Sequence, residues 1–275
     1  MNILKFIFFS WIIFHIPIKA NLFTSIRDYF CKKNKAPILI NDKNSYPQFK
    51  IALCTTATGK YIEFVEPFLK SARQYFLTNY QVKYIIFTDS KLDSVGDDTI
   101  LIQHKKLGWP FDTCCRSKAY IDASDLISTF DYAFACDIDM EFVNECGEEI
   151  LSDRVAVLHA GFLTKRGSYD ENRQSVANVW PDEGQHYFAG GMYGGNAREF
   201  IKINKFLSSS LDLDLQHNVI AVWHDESYLN RYFIDNPPTL ILSSSYCYPD
   251  PKLGIDLPVK PILIALLKDH KFLRE

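Results

Sequence analysis

The sequence lacks the patterns that several common classes of protein require. Its seven cysteines include no CxxC pair and no zinc-finger spacing, which favours buried thiols over a metal finger or a disulfide framework. No GxGxxG or P-loop pattern occurs, so phosphate binding by a glycine-rich loop at a helix N-terminus is not predicted. A net charge of -3 without a basic block gives no electrostatic reason to expect nucleic acid as a partner.

The first 48 residues differ in composition from the rest of the chain. Lys5 precedes an apolar run from Phe6 to Ile16, which predicts a signal anchor or a signal peptide over residues 1–20. The run is shorter than the roughly 20 residues that span a typical bilayer. Residues 21–48 are polar and broken, and we interpret them as a stem or linker. We expect the secretory pathway, as a single-pass type II Golgi membrane protein or as a secreted protein cleaved after Ala20.

From Phe49 onward, short apolar runs alternate with segments of helical spacing. The apolar runs predict strands over 49–55, 82–89, 99–104, 132–136 and 155–162, and a strand with a loop over 239–249. The helical spacing predicts helices over 63–76, 112–128, 198–215 and 219–234. A glycine-rich turn is predicted over 187–195. This order predicts an α/β fold with a mostly parallel central sheet.

Two carboxylates follow the strand predicted at Tyr132–Cys136. Asp137 and Asp139 are separated by one residue, so on an extended chain their side chains project to the same side. Neighbouring carboxylates repel and are costly to desolvate unless a positive charge lies between them. A divalent cation carrying a phosphate would supply it, at the strand end where open α/β sheets bind ligands. A solvated turn or a helix cap is the alternative.

Two other segments carry residues that suit a site. Gly190 and Gly191 would let the backbone approach a ligand closely, or would form an ordinary turn. His224, Asp225 and Glu226 follow an apolar run. They would either cap a helix in solvent or place a carboxylate beside an oxocarbenium-like centre, as glycosyl transfer requires.

The order of these motifs resembles glycosyltransferase family six over roughly residues 49 to 275. The matching segments are YIIFTD (84–89), FDYAFACDIDMEF (130–142), VLHAGF (157–162), YFAGGMYGG (187–195), AVWHDESYLNRYF (221–233) and KDHKFLR (268–274). The resemblance implies that residues 49–275 form a single GT-A catalytic domain, a Rossmann-like fold that binds a nucleotide sugar. It also implies a basic C-terminal segment that closes over the diphosphate and excludes water.

The implied reaction is a retaining transfer that depends on Mn²⁺, or on Mg²⁺. It would move N-acetylgalactosamine or galactose from a UDP-sugar, in α-1,3 linkage, onto a glycan acceptor that ends in galactose. A small residue at position 191 would leave volume for an acetamido group, which favours UDP-N-acetylgalactosamine. A catalytically inactive lumenal protein of the same fold, which only binds a glycan or a nucleotide sugar, is the alternative.

The resemblance also implies individual roles. Asp137 and Asp139 would bind the metal ion, and Glu226 would be the catalytic nucleophile or stabilising carboxylate. Contacts with the sugar donor are implied for Tyr61, Arg116, Asp137, Ile138, Asp139, Ala189, Gly190, Gly191, Asp225, Lys268 and Arg274. Contacts with the acceptor are implied for His159, Trp223 and Glu226. The chain departs from the family pattern at Ala160, where the family has proline, and in having only Arg116 where the family has paired arginines.

Overall fold

The computed structural model describes residues 49–93 and 95–274. The predicted signal segment, 1–20, and the predicted stem, 21–48, lie outside the described residues. Over the part of the chain that is described, no helix combines the length and the apolar composition that a membrane span needs.

A central β-sheet organises the described region. Its strands and those of a smaller sheet are β1 (Lys50–Thr56), β2 (Gln81–Thr88), β3 (Thr99–Gln103), β4 (Tyr132–Cys136), β5 (Met140–Phe142), β6 (Arg154–Leu158), β7 (Phe188–Asn196), β8 (Leu240–Leu242), β9 (Tyr248–Pro249) and β10 (Leu263–Ala265). The seven-stranded sheet has the order β3-β2-β1-β4-β7-β6-β8, and β5, β10 and β9 form the smaller sheet. Of the described strands in the central sheet, only β7 runs antiparallel to its neighbours. The prediction of an α/β fold with a mostly parallel sheet is confirmed.

Helices pack against both faces of this sheet. They are α1 (Val65–Tyr75), α2 (Phe111–Cys114), α3 (Arg116–Asp122), α4 (Ser124–Ile127), α5 (Ala197–Gln216), α6 (Asp225–Asp235) and α7 (His270–Arg274). α1 buries Phe68 and Ala72, two residues of the apolar face that the sequence predicts. α5 begins after Asn196, whose side chain accepts a hydrogen bond from the Glu199 backbone N–H and so caps the helix.

The strands divide the core between the two faces of the sheet. On β1, Ala52 and Cys54 belong to the cluster that packs against α3, α5 and α6. Ile51 and Leu53 belong to the cluster that packs against α1. All four are fully buried, because side chains alternate across a strand that is covered on both sides.

The prediction of a turn over 187–195 is wrong, because these residues form most of β7. The glycines allow the strand to lie very close to its neighbour. A Cβ atom on Gly194 would come within 2.4 Å of Phe134 Cδ1 and 2.5 Å of the Ala133 carbonyl oxygen. Only a residue without a side chain fits this contact. Sequence reasoning interprets glycine as a turn former and misses this use.

The predicted helix over 219–234 begins six residues later than expected, at Asp225. Ile220, Val222 and Trp223 supply apolar residues but remain exposed, so they do not form the buried face of a helix. His224, with φ of 56° and ψ of -129°, then turns the chain into α6. The predicted helix over 112–128 is likewise divided, into α2, α3 and α4.

Candidate active site

The acid pair lies where β4 ends. The Asp137 backbone N–H donates to the Gly191 carbonyl oxygen at 2.9 Å, which continues the pairing of β4 with β7. The Asp139 carbonyl oxygen accepts from the Leu266 N–H at 3.1 Å. Asp139 is buried, and the Asp137 side chain is about one third exposed. Both residues therefore face a cleft at the carboxyl edge of the parallel strands.

This cleft gathers most of the residues predicted to contact the sugar donor. It is lined by Thr56, Thr58, Tyr61, Lys106, Trp109, Asp112, Thr113, Arg116, Asp137, Ile138, Asp139, Lys268, Leu273 and Arg274. The lining comes from the carboxyl ends of β1 and β4, from the start of α3 and from the C-terminal segment. Its position agrees with the general rule for ligands of open α/β sheets.

Arg116 connects three parts of the site. It is buried, and its guanidinium forms ion pairs with Asp137 and Asp225 and donates to the Gly190 carbonyl oxygen at 2.7 Å. The planar, always charged guanidinium suits this three-way contact, because its five N–H groups form a rigid fork. Burial nevertheless raises the pKa of Asp225 to about 6, against the opposing effect of Arg116. Arg116 thus positions protein groups as well as lining the cleft.

The C-terminal segment closes one side of the cleft with positive charge. Lys268 forms an ion pair with Asp139, and its ammonium lies 5.6 Å from the centre of the Tyr61 ring. Arg274 stacks over Trp109, with 4.6 Å between the guanidinium carbon and the ring centre. Lys60 Nζ donates to the Phe272 carbonyl oxygen at 2.9 Å, which ties α7 to the segment before α1. Lys268 therefore lies beside the acid pair, and Arg274 lines the same cleft.

Glu226 lies at the start of α6 and is held by uncharged groups. The Gly190 N–H donates to its Oε2 at 2.7 Å, and the Tyr187 hydroxyl donates to its Oε1 at 2.8 Å. Burial raises the pKa of Glu226 to about 7, although these two hydrogen bonds favour the charged form. The carboxylate is fixed in orientation and readily protonated, a combination that is common in catalytic acids and bases.

The segment Ala189–Gly191 connects the acid pair, Asp137 and Asp139, with Glu226. The Gly190 N–H binds Glu226, the Gly190 carbonyl oxygen binds Arg116, and the Gly191 carbonyl oxygen binds the Asp137 N–H. Ala189 is buried in β7 and does not line the cleft. The two residues Gly190 and Gly191 therefore connect the backbone of the acid pair with the carboxylate of Glu226.

A family model described as glycosyltransferase family 6 matches residues 36–105 and 115–275. The chain belongs to glycosyltransferase family 6. It is therefore a hexosyltransferase, and the resemblance inferred from the motifs is confirmed.

Similar proteins occur in animals and in a bacterium. The chain is 30% identical over 249 residues to histo-blood group ABO system transferase 1 of Rattus norvegicus, covering 86% of this chain and 72% of the relative. It is 32% identical over 217 residues to globoside alpha-1,3-N-acetylgalactosaminyltransferase 1 of Homo sapiens, covering 74% and 62%. It is 29% identical over 223 residues to the O-antigen biosynthesis glycosyltransferase WbnI of Escherichia coli, covering 75% and 90%.

The residues predicted to contact the acceptor of this glycosyltransferase lie apart from the cleft lining. His159 packs against the rings of Phe162 and Tyr187, at 4.9 and 5.7 Å between ring centres, and burial lowers its pKa. Trp223 is about half exposed, and its indole N–H donates to Ser168 Oγ at 2.8 Å. Tyr187 contacts both His159 and Glu226, so it connects this region to the predicted catalytic carboxylate.

Tyr187 and Asn230 are functional candidates that sequence reasoning missed. Asn230 is buried, and its amide donates to the carbonyl oxygens of Phe188 at 2.8 Å and Glu226 at 2.9 Å. Its Oδ1 accepts from the Phe188 N–H at 2.8 Å. Asn230 therefore fastens α6 to the start of β7. The spacing of four residues from Glu226 places both on one helical face and is the signal that could have identified it.

Asp170 is another missed residue, and it positions the chain before α6. It is buried, and its two carboxylate oxygens accept from the N–H groups of Asn172 and Val222, both at 2.8 Å. Its carbonyl oxygen accepts from the Val179 N–H at 2.8 Å. The segment around Asp170 thus orients the backbone immediately before Trp223. No sequence pattern marks this acid, since its partners are backbone groups.

The residues of the cleft fit a divalent cation. Asp137 and Asp139 offer hard carboxylate oxygens, which suit Mg²⁺ and Mn²⁺. Within residues 49–93 and 95–274, no cluster of three or more His, Cys, Asp and Glu side chains forms a metal cage. One or two carboxylates are sufficient, however, for a cation whose remaining ligands are phosphate oxygens and water. Arg116 and Lys268 mark the same two carboxylates as a position where positive charge is stabilised.

Proposed function

We propose that this enzyme is a retaining, metal-dependent α-1,3-glycosyltransferase. It transfers N-acetylgalactosamine or galactose from a UDP-sugar to a glycan acceptor that ends in galactose. The observation that carries this proposal is the connection through Gly190 and Gly191. It places the acid pair and Glu226 at opposite ends of one short stretch of β7. A nucleotide sugar needs these two sites together, one for its diphosphate and one for its anomeric carbon.

Charge stabilisation of the leaving nucleotide is the role of the acid-pair side of the cleft. Asp137 and Asp139 would hold Mn²⁺ or Mg²⁺, and the bound ion would supply Lewis-acid stabilisation of the negative charge on the diphosphate leaving group. Lys268 and Arg274 add positive charge from the C-terminal segment. The uracil base of the UDP-sugar lies against Tyr61 and the residues at the end of β1, which line the cleft. Closure by α7 excludes water and favours transfer over hydrolysis.

The carboxylate of Glu226 acts on the sugar. Its two oxygens are held by the Gly190 N–H and the Tyr187 hydroxyl, so its orientation is set before substrate binds. In this position it captures or stabilises the positive charge that develops at the anomeric carbon. Asp225 is held by Arg116 next to it and lies near the transferred sugar.

The acceptor binds on the side of His159 and Trp223. Trp223 presents an exposed indole on which the apolar face of a galactose ring can stack. The imidazole of His159 packs against the Tyr187 ring, with 5.7 Å between the ring centres. The globoside relative supports the α-1,3 linkage through its name, and also supports N-acetylgalactosamine as one candidate for the transferred sugar.

The decisive experiment is a panel of sugar donors with galactose-terminated acceptors and linkage analysis of the products. We expect an α-1,3-linked product from UDP-N-acetylgalactosamine or UDP-galactose, only with Mn²⁺ or Mg²⁺ present. A product of a different linkage, or undiminished transfer in a chelator, would contradict the proposal. Tight binding of the UDP-sugar without turnover would identify the alternative, an inactive lumenal protein that binds nucleotide sugars.

A further inference from the structure

The space beside Gly191 is already filled by two sulfur atoms. A Cβ atom on Gly191 would lie 3.2 Å from Met140 Sδ and 3.4 Å from Cys247 Sγ. It would also lie 3.6 Å from Asp137 Oδ2. The absence of a side chain at Gly191 therefore does not leave a void, because side chains from two other elements occupy the space. A glycine at this position admits these sulfur atoms and not additional ligand volume.

This position lies along the path that the transferred sugar must take. The Gly191 carbonyl oxygen binds the Asp137 N–H, and the preceding residue, Gly190, binds Glu226. A sugar whose diphosphate is held at Asp137 and whose anomeric carbon faces Glu226 must run beside these two residues. Groups that border this stretch of β7 are therefore next to the substituents of the sugar ring.

The two sulfur-bearing residues differ in their freedom to move. Met140 is buried in β5, and its Sδ lies 4.0 Å from Cys136 Sγ. Cys247 ends a short 3-10 helix, Ser244–Cys247, and is partly exposed. The other described cysteines are buried, namely Cys54, Cys114, Cys115, Cys136 and Cys146. Cys247 is therefore the more accessible of the two sulfur-bearing residues next to Gly191, and Met140 is the more deeply buried one.

We propose that Cys247, backed by Met140, determines which substituent at C2 of the transferred hexose fits the site. This proposal rests on the proposed function and names the residue that discriminates between its two sugars. An acetamido group is larger than a hydroxyl group, so the size of the side chain at position 247 sets the selectivity. A smaller side chain there admits the acetamido group more readily, and a larger one excludes it.

The test compares Cys247→Ala and Cys247→Val with the wild type. For each protein, kcat/KM is measured with UDP-N-acetylgalactosamine and with UDP-galactose, and the dissociation constants of both are measured by calorimetry. We expect the preference for N-acetylgalactosamine to rise about tenfold in Cys247→Ala and to fall about tenfold in Cys247→Val. Changes of this size are typical when one small group is added to or removed from a binding pocket.

Cys146→Ala is the matched control, because Cys146 belongs to the same apolar cluster that Cys247 packs against, and the substitution also removes a thiol. Cys146 follows β5 in the chain and lies against the end of α1, where its N–H donates to the Tyr75 carbonyl oxygen. Its Sγ is not among the atoms nearest to Gly191. In this variant we expect the ratio of kcat/KM between the two sugar donors, and the ratio of their dissociation constants, to remain at the wild-type values. Melting temperatures measured for all variants show which of them are folded. If Cys247→Val is not folded, Cys247→Ser supplies a second variant of nearly the same size as the wild type.

The outcomes separate this inference from the proposed function. Ratios of kcat/KM and of affinity that stay within twofold in both Cys247 variants would overturn the inference. Affinity ratios that shift as expected, without any transfer by the wild type, would support the inference and contradict the proposed activity. Failure of the wild type to bind either sugar donor would contradict both.

Discussion

The two ends of the active site hold carboxylates in opposite ways. Asp137 and Asp139 lie next to cationic side chains, Arg116 and Lys268, which compensate their charge directly. Glu226 lies two residues of β7 away, across Gly190 and Gly191, and is bound by the Tyr187 hydroxyl and the Gly190 N–H. Burial has the largest effect on the pKa of Glu226 and raises it to about 7, although the two uncharged hydrogen-bond donors act in the opposite direction.

The difference shows how one site can serve two kinds of charge. Carboxylates whose charge is compensated by cationic side chains suit a permanent positive charge such as a metal ion. A carboxylate held by neutral groups is less stabilised in the empty site. It therefore gains most from a positive charge that appears only in the transition state, which is the condition for catalysis rather than tight binding.

The largest expected effect comes from removing a charge on the acid-pair side. Asp139→Asn retains the shape of the side chain but loses the negative charge that a cation needs. We expect kcat/KM to fall about 10³-fold or more, since several kcal/mol of charge stabilisation would be lost. Initial rates across a Mn²⁺ titration measure this effect. Undiminished transfer by this variant would contradict the metal assignment, and Asp212→Asn, on an exposed face of α5, is the control.

Glu226→Gln tests the other end of the comparison. The amide side chain would keep the same length and its capacity for hydrogen bonding, so the affinity for the sugar donor should change little. We expect kcat to fall about 10²- to 10³-fold, because the lost charge acts in the transition state. Steady-state kinetics together with calorimetric binding of the sugar donor separate the two effects. An equal loss in binding would indicate that Glu226 is a structural residue.

The pH dependence tests whether Glu226 is the weakly stabilised carboxylate. Because the reactive form is ionised, kcat/KM should fall about tenfold per pH unit below the pKa of about 7. Folding raises this pKa from 4.5, so the folded protein binds the proton more tightly than the unfolded chain. The stability gained at low pH is therefore lost as the pH rises from about 4.5 through 7. Glu226→Gln should accordingly raise the melting temperature at about pH 8 more than at about pH 5. An equal effect at both pH values would contradict the raised pKa.

A smaller effect is expected from Tyr187→Phe, which removes one of the two neutral hydrogen bonds to Glu226. That hydrogen bond lowers the pKa of Glu226, so its loss should move the acid limb of the pH profile to higher pH. We expect about a tenfold loss of kcat/KM at about pH 7, in line with one hydrogen bond to a charged group. Tyr169→Phe is the matched control, because the Tyr169 hydroxyl donates to the His186 carbonyl oxygen. A pH profile identical to that of the wild type would show that Tyr187 does not orient Glu226.

The sequence was most informative where burial and strand pattern agree. Tyr132–Cys136 was predicted as a buried strand ending at the acid pair, and β4 has these bounds. The cleft also contains Tyr61, Lys268 and Arg274, which resemblance alone brought to the site. These features depend on local sequence patterns or on motifs, both of which can be read along the chain.

The contacts that connect the site were not predictable in the same way. Tyr187 and Glu226 are distant in the sequence and meet only because β7 lies beside α6. The prediction of a glycine-rich turn over 187–195 was wrong, because glycine in a strand becomes recognisable only when the neighbouring strand is known. The role of Arg116 between Asp137 and Asp225 likewise depends on tertiary contacts.

The antiparallel direction of β7 has a consequence for the precision of the site. Cys136 is paired with Met192, so the last residue of β4 lies opposite the middle of β7. The register of this pairing determines which peptide units separate the acid pair from Glu226. A slip of one residue would move β7 by about 3.4 Å and turn each of its side chains to the opposite face. The close contact at Gly194 holds this register, and a glycine remote from the chemistry thereby sets the spacing between the two halves of the active site.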